Sequence, residues 1–253
     1  MKTTKYTVIS PKLEKEHRIL MISDVHNMHW HGLVKKVRRL RPDFIVIVGD
    51  LVDCHAKKAQ RVLPFLRAIS SVAPCYLTFG NHDVKFWPID NTEIEEMGIT
   101  ILDGRFVKRD ELVLGGQTSL AGVEDVHPER ESHAVWRQDV GMEWLDDFEQ
   151  TQGYRLLLCH HPEYYDRYLL SDRDIDLIVA GHTHGGQWRF FGHAFYASGQ
   201  GVWPKFSRGV YGHMIVGAGV SNPGAPLIPR ICNPRELLLL TLKPGNDSRI
   251  KEH

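Results

Sequence analysis

Residues 18–50, RILMISDVHNMHWHGLVKKVRRLRPDFIVIVGD, decide the fold class. RILMISD (18–24) and FIVIVGD (44–50) are short apolar runs that each end in an aspartate, the pattern of strands buried on both faces. Between them HGLVKKVRRL (31–40) sets Leu33, Val34, Val37 and Leu40 on one helical face, with Lys35, Lys36, Arg38 and Arg39 facing away. Pro42 stops that helix, and its basic side reads as a solvated face. Working outward, RVLPFLRAISS (61–71) is a second helix with Pro64 in its first turn, and CYLTFGN (75–81) a third strand. A βαβαβ series implies a parallel sheet covered by helices, with ligands at the carboxyl ends of its strands. Further on, NTEIEEMG carries a TxxE capping pattern that predicts a short helix starting at Thr92. ITILDG, FVKRDELVLGG and TSLAGVED read as short strands and EWLDDFEQ as a helix. YRLLLCH (154–160), LIVAGHTHGGQ (177–187), HMIVGAG (213–219) and ELLLLTL (236–242) return to strands. The class is α/β, and residues 1–253 read as a single domain with two sheets.

The chain has 253 residues, 31 basic against 31 acidic, and 42% are hydrophobic, which excludes a disordered or collagen-like chain. With no basic excess, stable nucleic-acid binding is not expected. Four scattered cysteines form no CxxC pair and suit a reducing compartment. No run reaches the length of a signal peptide core or the roughly 18 apolar residues of a membrane span, so the expected location is the cytoplasm. The outlying number is histidine, at 15 copies.

Histidines gather in segments that end strands: SDVHN (Asp24, His26), GD (Asp50), GNHD (Asn81, His82), CHH (His160) and GHTH (His182, His184). If the extended conformation continues past each strand, the period of two turns Asp24 and His26 to one side, and likewise His182 and His184. Carboxylate, amide and imidazole donors without thiolate suit Mn, Fe or Zn, and seven of them exceed what one ion needs. Two ions are therefore expected. His29, His31, His127, His133, His193 and His213 have no such spacing and read as surface or loop residues.

In this order, the series DxH, GD, GNHD, H and GHxH resembles the calcineurin-like metallophosphoesterase superfamily, and GHTHGGQWRFFG followed by GQGVWPKFSRGVY resembles a bacterial phosphodiesterase branch of it. The resemblance spans almost the whole chain. It implies a two-sheet β-sandwich flanked by helices, in four αββα layers. It also implies two divalent metal ions: Asp24, His26 and His184 on the first, Asn81, His160 and His182 on the second, and Asp50 bridging them. The implied reaction is attack of a metal-activated hydroxide on phosphorus, with His82 assisting the leaving group and Asp83 orienting the His82 ring and raising its pKa. Asn27, His161 and His55 adjoin these motifs, as substrate contacts or as supports for a ligand.

Trp188, Phe190, Phe191, Phe195, Trp203 and Phe206 crowd the segment after GHTHGG. They form either a second small core or an apolar wall for a nucleobase or acyl chain, with Trp203 at the substrate and Lys205 and Arg208 on a second phosphate. The expected activity is hydrolysis of phosphodiester or pyrophosphate bonds in a phosphoester small molecule, a nucleotide or a lipid-linked pyrophosphate. A phosphomonoesterase on the same site is the alternative, and a metal-binding scaffold without catalysis is a weaker one, disfavoured by the presence of His82. Peripheral contact with the inner membrane face is left open. The tail GVSNPGAPLIPRICNPRE is long in Pro and Gly for a strand connection, and the sequence offers no physical account of what it selects.

Overall fold

Alternation along the strands sorts the apolar side chains into an inner layer between two sheets and two outer layers beneath helices. The computed structural model describes residues 1–54, 61–87, 89–120, 141–168, 170–222 and 229–253. The chain runs through β1 (Lys2–Ser10), β2 (His17–Ile22), α1 (His31–Leu40), β3 (Phe44–Val48), α2 (Val62–Ser70), β4 (Cys75–Thr78), α3 (Asn81–Phe86), α4 (Asn91–Glu95) and β5 (Ile99–Ile101). It continues through β6 (Arg105–Arg109), β7 (Leu112–Gln117), α5 (Trp144–Gln150), β8 (Tyr154–Cys159), α6 (Tyr164–Arg167) and β9 (Leu177–Ala180). Two small ribbons pair β10 (Arg189–Phe190) with β11 (His193–Ala194) and β12 (Tyr196–Ala197) with β13 (Gly201–Val202). β14 (Gly209–Tyr211), β15 (Met214–Val216), β16 (Glu236–Pro244) and β17 (Arg249–Glu252) close the chain.

One sheet has the order β17-β1-β16-β2-β3-β4-β5 and the other β14-β15-β9-β8-β7-β6. β2 to β5 are parallel, as are β7, β8, β9 and β15. Ile19, Met21, Val46 and Val48 of the first sheet meet Leu156, Leu158, Leu177 and Val179 of the second in the inner layer. Their neighbours Leu20, Ile22, Ile45 and Ile47 point the other way, under Leu33, Val37, Phe65 and Ile69 of α1 and α2. Leu157 and Ile178 face outward under Leu145, Phe148 and Tyr164 of α5 and α6. Burial on both faces is why these strands read as continuous apolar runs, and the result is the expected two-sheet sandwich in four αββα layers.

The structure corrects the reading at several points. β2, β3, β4 and β9 stop at Ile22, Val48, Thr78 and Ala180, short of the polar residues that were to extend them. α4 is capped by Asp90, whose side chain accepts the Thr92 N–H, and not by Thr92. β1 and β17, which the apolar pattern does not announce, pair with each other and extend the first sheet beyond β16. Of the segment TSLAGVED, residues 118–120 are not in a strand, and residues 121–125 lie outside the described residues, as do His55, His127 and His133. Among the described residues no helix is long and apolar enough to cross a membrane.

Candidate metal centre

Five parallel strands, β2, β3, β4, β8 and β9, deliver the histidine-bearing loops to one end of the sandwich. Those loops are tied to one another by the backbone. Asp24 N–H donates to Gly49 O, His26 N–H to Asp50 O, Gly181 N–H to His160 O and Ser221 N–H to Asp24 O, all at 3.0–3.1 Å. Instead of continuing extended, Asp24, His26, Asp50, His182 and His184 turn into the left-handed region, with φ between 45° and 68°. Left-handed backbone is unfavourable for residues with a Cβ, and here the ties between the loops hold it in place.

The bends bring the donors together. Asp24, His26 and His184 offer ligand atoms that all lie within 4.8 Å of one another, and Asp50, His160 and His182 do the same. His26 Nε2 lies 3.2 Å from His184 Nε2, and His184 Nε2 lies 3.6 Å from Asp24 Oδ1. Asp50 joins the two groups, its Oδ2 being 3.6 Å from His26 Nε2 and 3.2 Å from His160 Nε2. Two imidazoles are oriented by carbonyls: His26 Nδ1 lies 3.1 Å from Val52 O and His160 Nδ1 2.8 Å from Val48 O. Each Nδ1–H donates outward and so turns Nε2 toward the centre, as a lone pair in His26 and against the Asp50 carboxylate in His160.

Buried Asp24 Oδ2, Asn81 Oδ1 and His182 Nε2 have no hydrogen-bond partner, the state of atoms that suit a cation. Burial lowers the pKa values of His26, His182 and His184, so these imidazoles are neutral and free to ligate. Burial alone would also raise Asp50, but His160, His82 and His26 outweigh it and hold the carboxyl well below its usual range. His160 is pulled down by burial and pushed up more strongly by Asp50 and Asp24, to about 10. A donor set of two carboxylates, four imidazoles and an amide fits two divalent cations of the Mn, Fe or Zn type.

The close approach of β3 and β4 that makes this possible needs Gly80. A Cβ there would sit 2.3 Å from Asp50 Oδ1 and 2.6 Å from Asp50 N. Gly80→Ala is therefore expected to displace Asp50 and to lower stability by about 1–3 kcal/mol, measured as a shift of the urea midpoint; an unshifted midpoint would show that the loop yields freely.

His82, half-buried at the start of α3, donates its backbone N–H to Asp50 Oδ1 at 2.9 Å. Its ring stands edge-on to His26 with centroids 4.8 Å apart, and its Nδ1 is buried without a partner. Asp83 does not orient that ring. Its Oδ1 accepts from Leu51 and Val52 N–H at 2.8 and 3.0 Å, and its Oδ2 from Gly80 N–H at 3.0 Å. Adjacent residues of a helix face different ways, so Asp83 ties the GD loop to the GNHD loop, with its pKa pushed up to about 7 by burial and by Asp50.

Asn27 is buried and gives one amide N–H to Asp53 Oδ1 at 2.8 Å, while its own Oδ1 is unpartnered. His161 packs against His182, ring centroids 4.1 Å apart, and against Tyr164. The aromatic segment divides between its two readings. Phe206 joins the core beneath α6, Trp188 stacks on Phe195, which Trp203 meets edge-on, and Phe190, Phe191 and Trp203 are exposed. Lys205 pairs with Asp166 at the surface. Arg208 is not available for a second phosphate: it forms a 2.7 Å ion pair with buried Glu236, whose other oxygen accepts the Ala218 N–H. A buried carboxylate needs such a partner, and Arg208 supplies it.

Two residues escaped the sequence reading. Glu163 is buried with both carboxylate oxygens unpartnered, and clusters with His161 and His182. Its only signal was adjacency to the HH pair in HHPE. Arg230 has its Nη2 3.1 Å from His184 Nδ1; it sits in the Pro-rich tail, where no periodicity points to a site.

The profile of calcineurin-like phosphoesterases matches residues 17–186. An uncharacterised metallophosphoesterase of Aquifex aeolicus is 27% identical over 256 residues, covering 96% of this chain and 92% of that protein. One from Campylobacter jejuni is 28% identical over 248 residues, covering 92% of this chain, which spans only 61% of that protein's length. Among solved structures, a dimetal phosphatase from Danio rerio superposes with a TM-score of 0.53 at 15% identity, covering 94% of this chain and 96% of that one, a likeness of fold.

Proposed function

The chain belongs to the calcineurin-like phosphoesterase family, and from that premise we propose that it is a dinuclear-metal-dependent phosphohydrolase acting on phosphodiester or pyrophosphate bonds. The observation that carries the reading is the convergence of Asp24, His26 and His184 with Asp50, His160 and His182 in one buried cluster, with His82 at its edge. In this reading Asp24, His26 and His184 hold one cation, Asn81, His160 and His182 the other, and Asp50 both. Residues 1–253 act as one domain around them. When bound, two such cations supply Lewis acidity, a water of lowered pKa and a clamp on phosphoryl oxygens.

The chain's own residues do the rest. Val52 O and Val48 O fix the tautomers of His26 and His160. The Asp83 carboxylate fastens the start of α3 to the GD loop and so holds the backbone from which the His82 side chain projects. A protonated His82 ring donates to the departing oxygen, while Asn27, with one amide proton and its carbonyl uncommitted, contacts a substrate oxygen. His161 supports His182 or reaches the substrate.

The preference for diesters rests on the resemblance of the GHTHGGQW segment to the phosphodiesterase branch, and the cytoplasm is the location proposed from the sequence. The test is hydrolysis of bis(p-nitrophenyl) phosphate beside p-nitrophenyl phosphate, by chelator-stripped protein given Mn, Zn, Fe or Mg singly. Metal-restored turnover of the diester well above the monoester is expected. The reverse ratio would make it a monoesterase, and two bound ions with no turnover of either would favour the scaffold reading.

A further inference from the structure

The Pro-rich tail between β15 and β16 returns to the site at one residue. On either side of Arg230 the chain is stitched to the segment that follows His184: Trp188 Nε1–H donates to Pro229 O at 3.0 Å, Arg189 N–H to Ile231 O at 3.0 Å, and Asn233 Nδ2–H to His184 O at 2.7 Å. The backbone is thereby held so that the Arg230 side chain meets the outer edge of the His184 ring. Its Nη2 lies 3.1 Å from His184 Nδ1 and also donates to Ser221 O. Ser221 is itself bonded through its N–H to Asp24 O. The guanidinium is thus set against the Asp24 and His184 half of the donor cluster.

Most of its hydrogen-bonding capacity is unused. Guanidinium carries five N–H donors in a planar fork, and here Nε and Nη1 are both buried without a partner. Among the described residues no carboxylate forms an ion pair with it. A guanidinium keeps its charge at neutral pH. A buried cation with unmet donors is costly unless an anion completes it.

The contact with His184 is also conditional. Arg230 can donate to Nδ1 only while Nδ1 is the unprotonated nitrogen. When Nε2, which faces Asp24 and His26, is the ligating atom, Nδ1 carries the proton and the contact becomes donor against donor. The guanidinium must then turn from the ring to another acceptor. A non-bridging phosphoryl oxygen bound beside Asp24 and His184 is an acceptor of the right charge, and its geometry matches the fork.

We propose that Arg230 is a phosphoryl-oxygen ligand. The assignment rests on the phosphohydrolase reading above and deepens it, giving the tail a function as the carrier of an anion contact. Arg230 then neutralises charge on the phosphate oxygens during the displacement.

The test uses metal-loaded parent protein and the variants Arg230→Gln and Arg230→Lys, with metal content by elemental analysis and binding of inorganic phosphate by calorimetry. Both variants are expected to keep two ions per chain. Phosphate affinity is expected to fall roughly 10- to 100-fold in Arg230→Gln, the worth of a charge-assisted contact, and less in Arg230→Lys, which keeps the charge. Unchanged phosphate affinity in Arg230→Gln would overturn the assignment while leaving the phosphohydrolase reading intact. So would loss of metal from both variants, which would make Arg230 a support for His184. A parent chain that binds neither two ions nor phosphate would overturn the reading itself, and the Arg230 assignment with it.

Discussion

On the dinuclear reading proposed above, Asp50→Asn protein is expected to bind at least one cation fewer than the parent after dialysis against a chelator that leaves the parent fully loaded. One Asp50 oxygen lies 3.6 Å from His26 Nε2 and 3.2 Å from His160 Nε2, so it stands between the two halves of the cluster. Two cations held close together repel each other, and a carboxylate between them offsets that repulsion, which a neutral amide cannot. Removing residues that merely support a ligand costs roughly 10- to 100-fold in metal affinity, so loss of the bridging charge should cost at least that. The fold should survive. Asparagine retains an oxygen to accept the His82 N–H that Asp50 Oδ1 accepts at 2.9 Å, and the loop stays anchored by the Asp83 bonds to Leu51 and Val52. Elemental analysis across a chelator series decides the matter. Two ions retained at parental affinity would mean that Asp50 does not bridge, and the dinuclear reading would have to be rebuilt without it.

The fold was legible where burial is two-sided. β3 and β9 are unbroken apolar runs, and β2 and β8 become so after Arg18 and Arg155, because helices cover the outer face of each sheet and the partner sheet covers the inner one. β1 was not legible. Its residues alternate exposed and buried along KTTKYTVIS, and with threonine and lysine on the open side the run resembles an ordinary surface segment. Identities of the donors were readable as motifs, but their geometry was not, since nothing in a dipeptide such as GD says that the aspartate will turn left-handed. That turn is imposed from outside, by the ties from Asp24 to Gly49 and from His26 to Asp50. Proximity in sequence misled at His82 and Asp83, where consecutive helical positions send one side chain to the site and the other to the backbone beneath it. Irregular segments hide their partners altogether: Arg208 belongs to Glu236 and Arg230 lies against His184, pairings that no spacing encodes.

His82→Ala is expected to keep both cations and lose about 100- to 10,000-fold in turnover, the usual contribution of a positioned general acid. Metal retention follows from the way His82 touches the centre. Its bond to Asp50 runs through the backbone N–H, which alanine preserves, and α3 is fastened by Asp83 rather than by the His82 ring. The ring makes no hydrogen bond through Nδ1 and stands edge-on to His26; one of its nitrogens lies within 4.8 Å of the His26 and Asp50 donors, so metal content of His82→Ala also tests whether His82 is itself a ligand. A loss of turnover alone could arise from a misplaced substrate, and the leaving group separates the two causes. p-Nitrophenolate departs readily without a proton, whereas phenolate, whose acid has a pKa near 10 like the tyrosine side chain, needs one. If His82 delivers the proton, the penalty for His82→Ala must grow from p-nitrophenyl to phenyl esters. A penalty equal for both esters would assign His82 to binding the phosphate instead, and full activity in His82→Ala would remove it from the reaction.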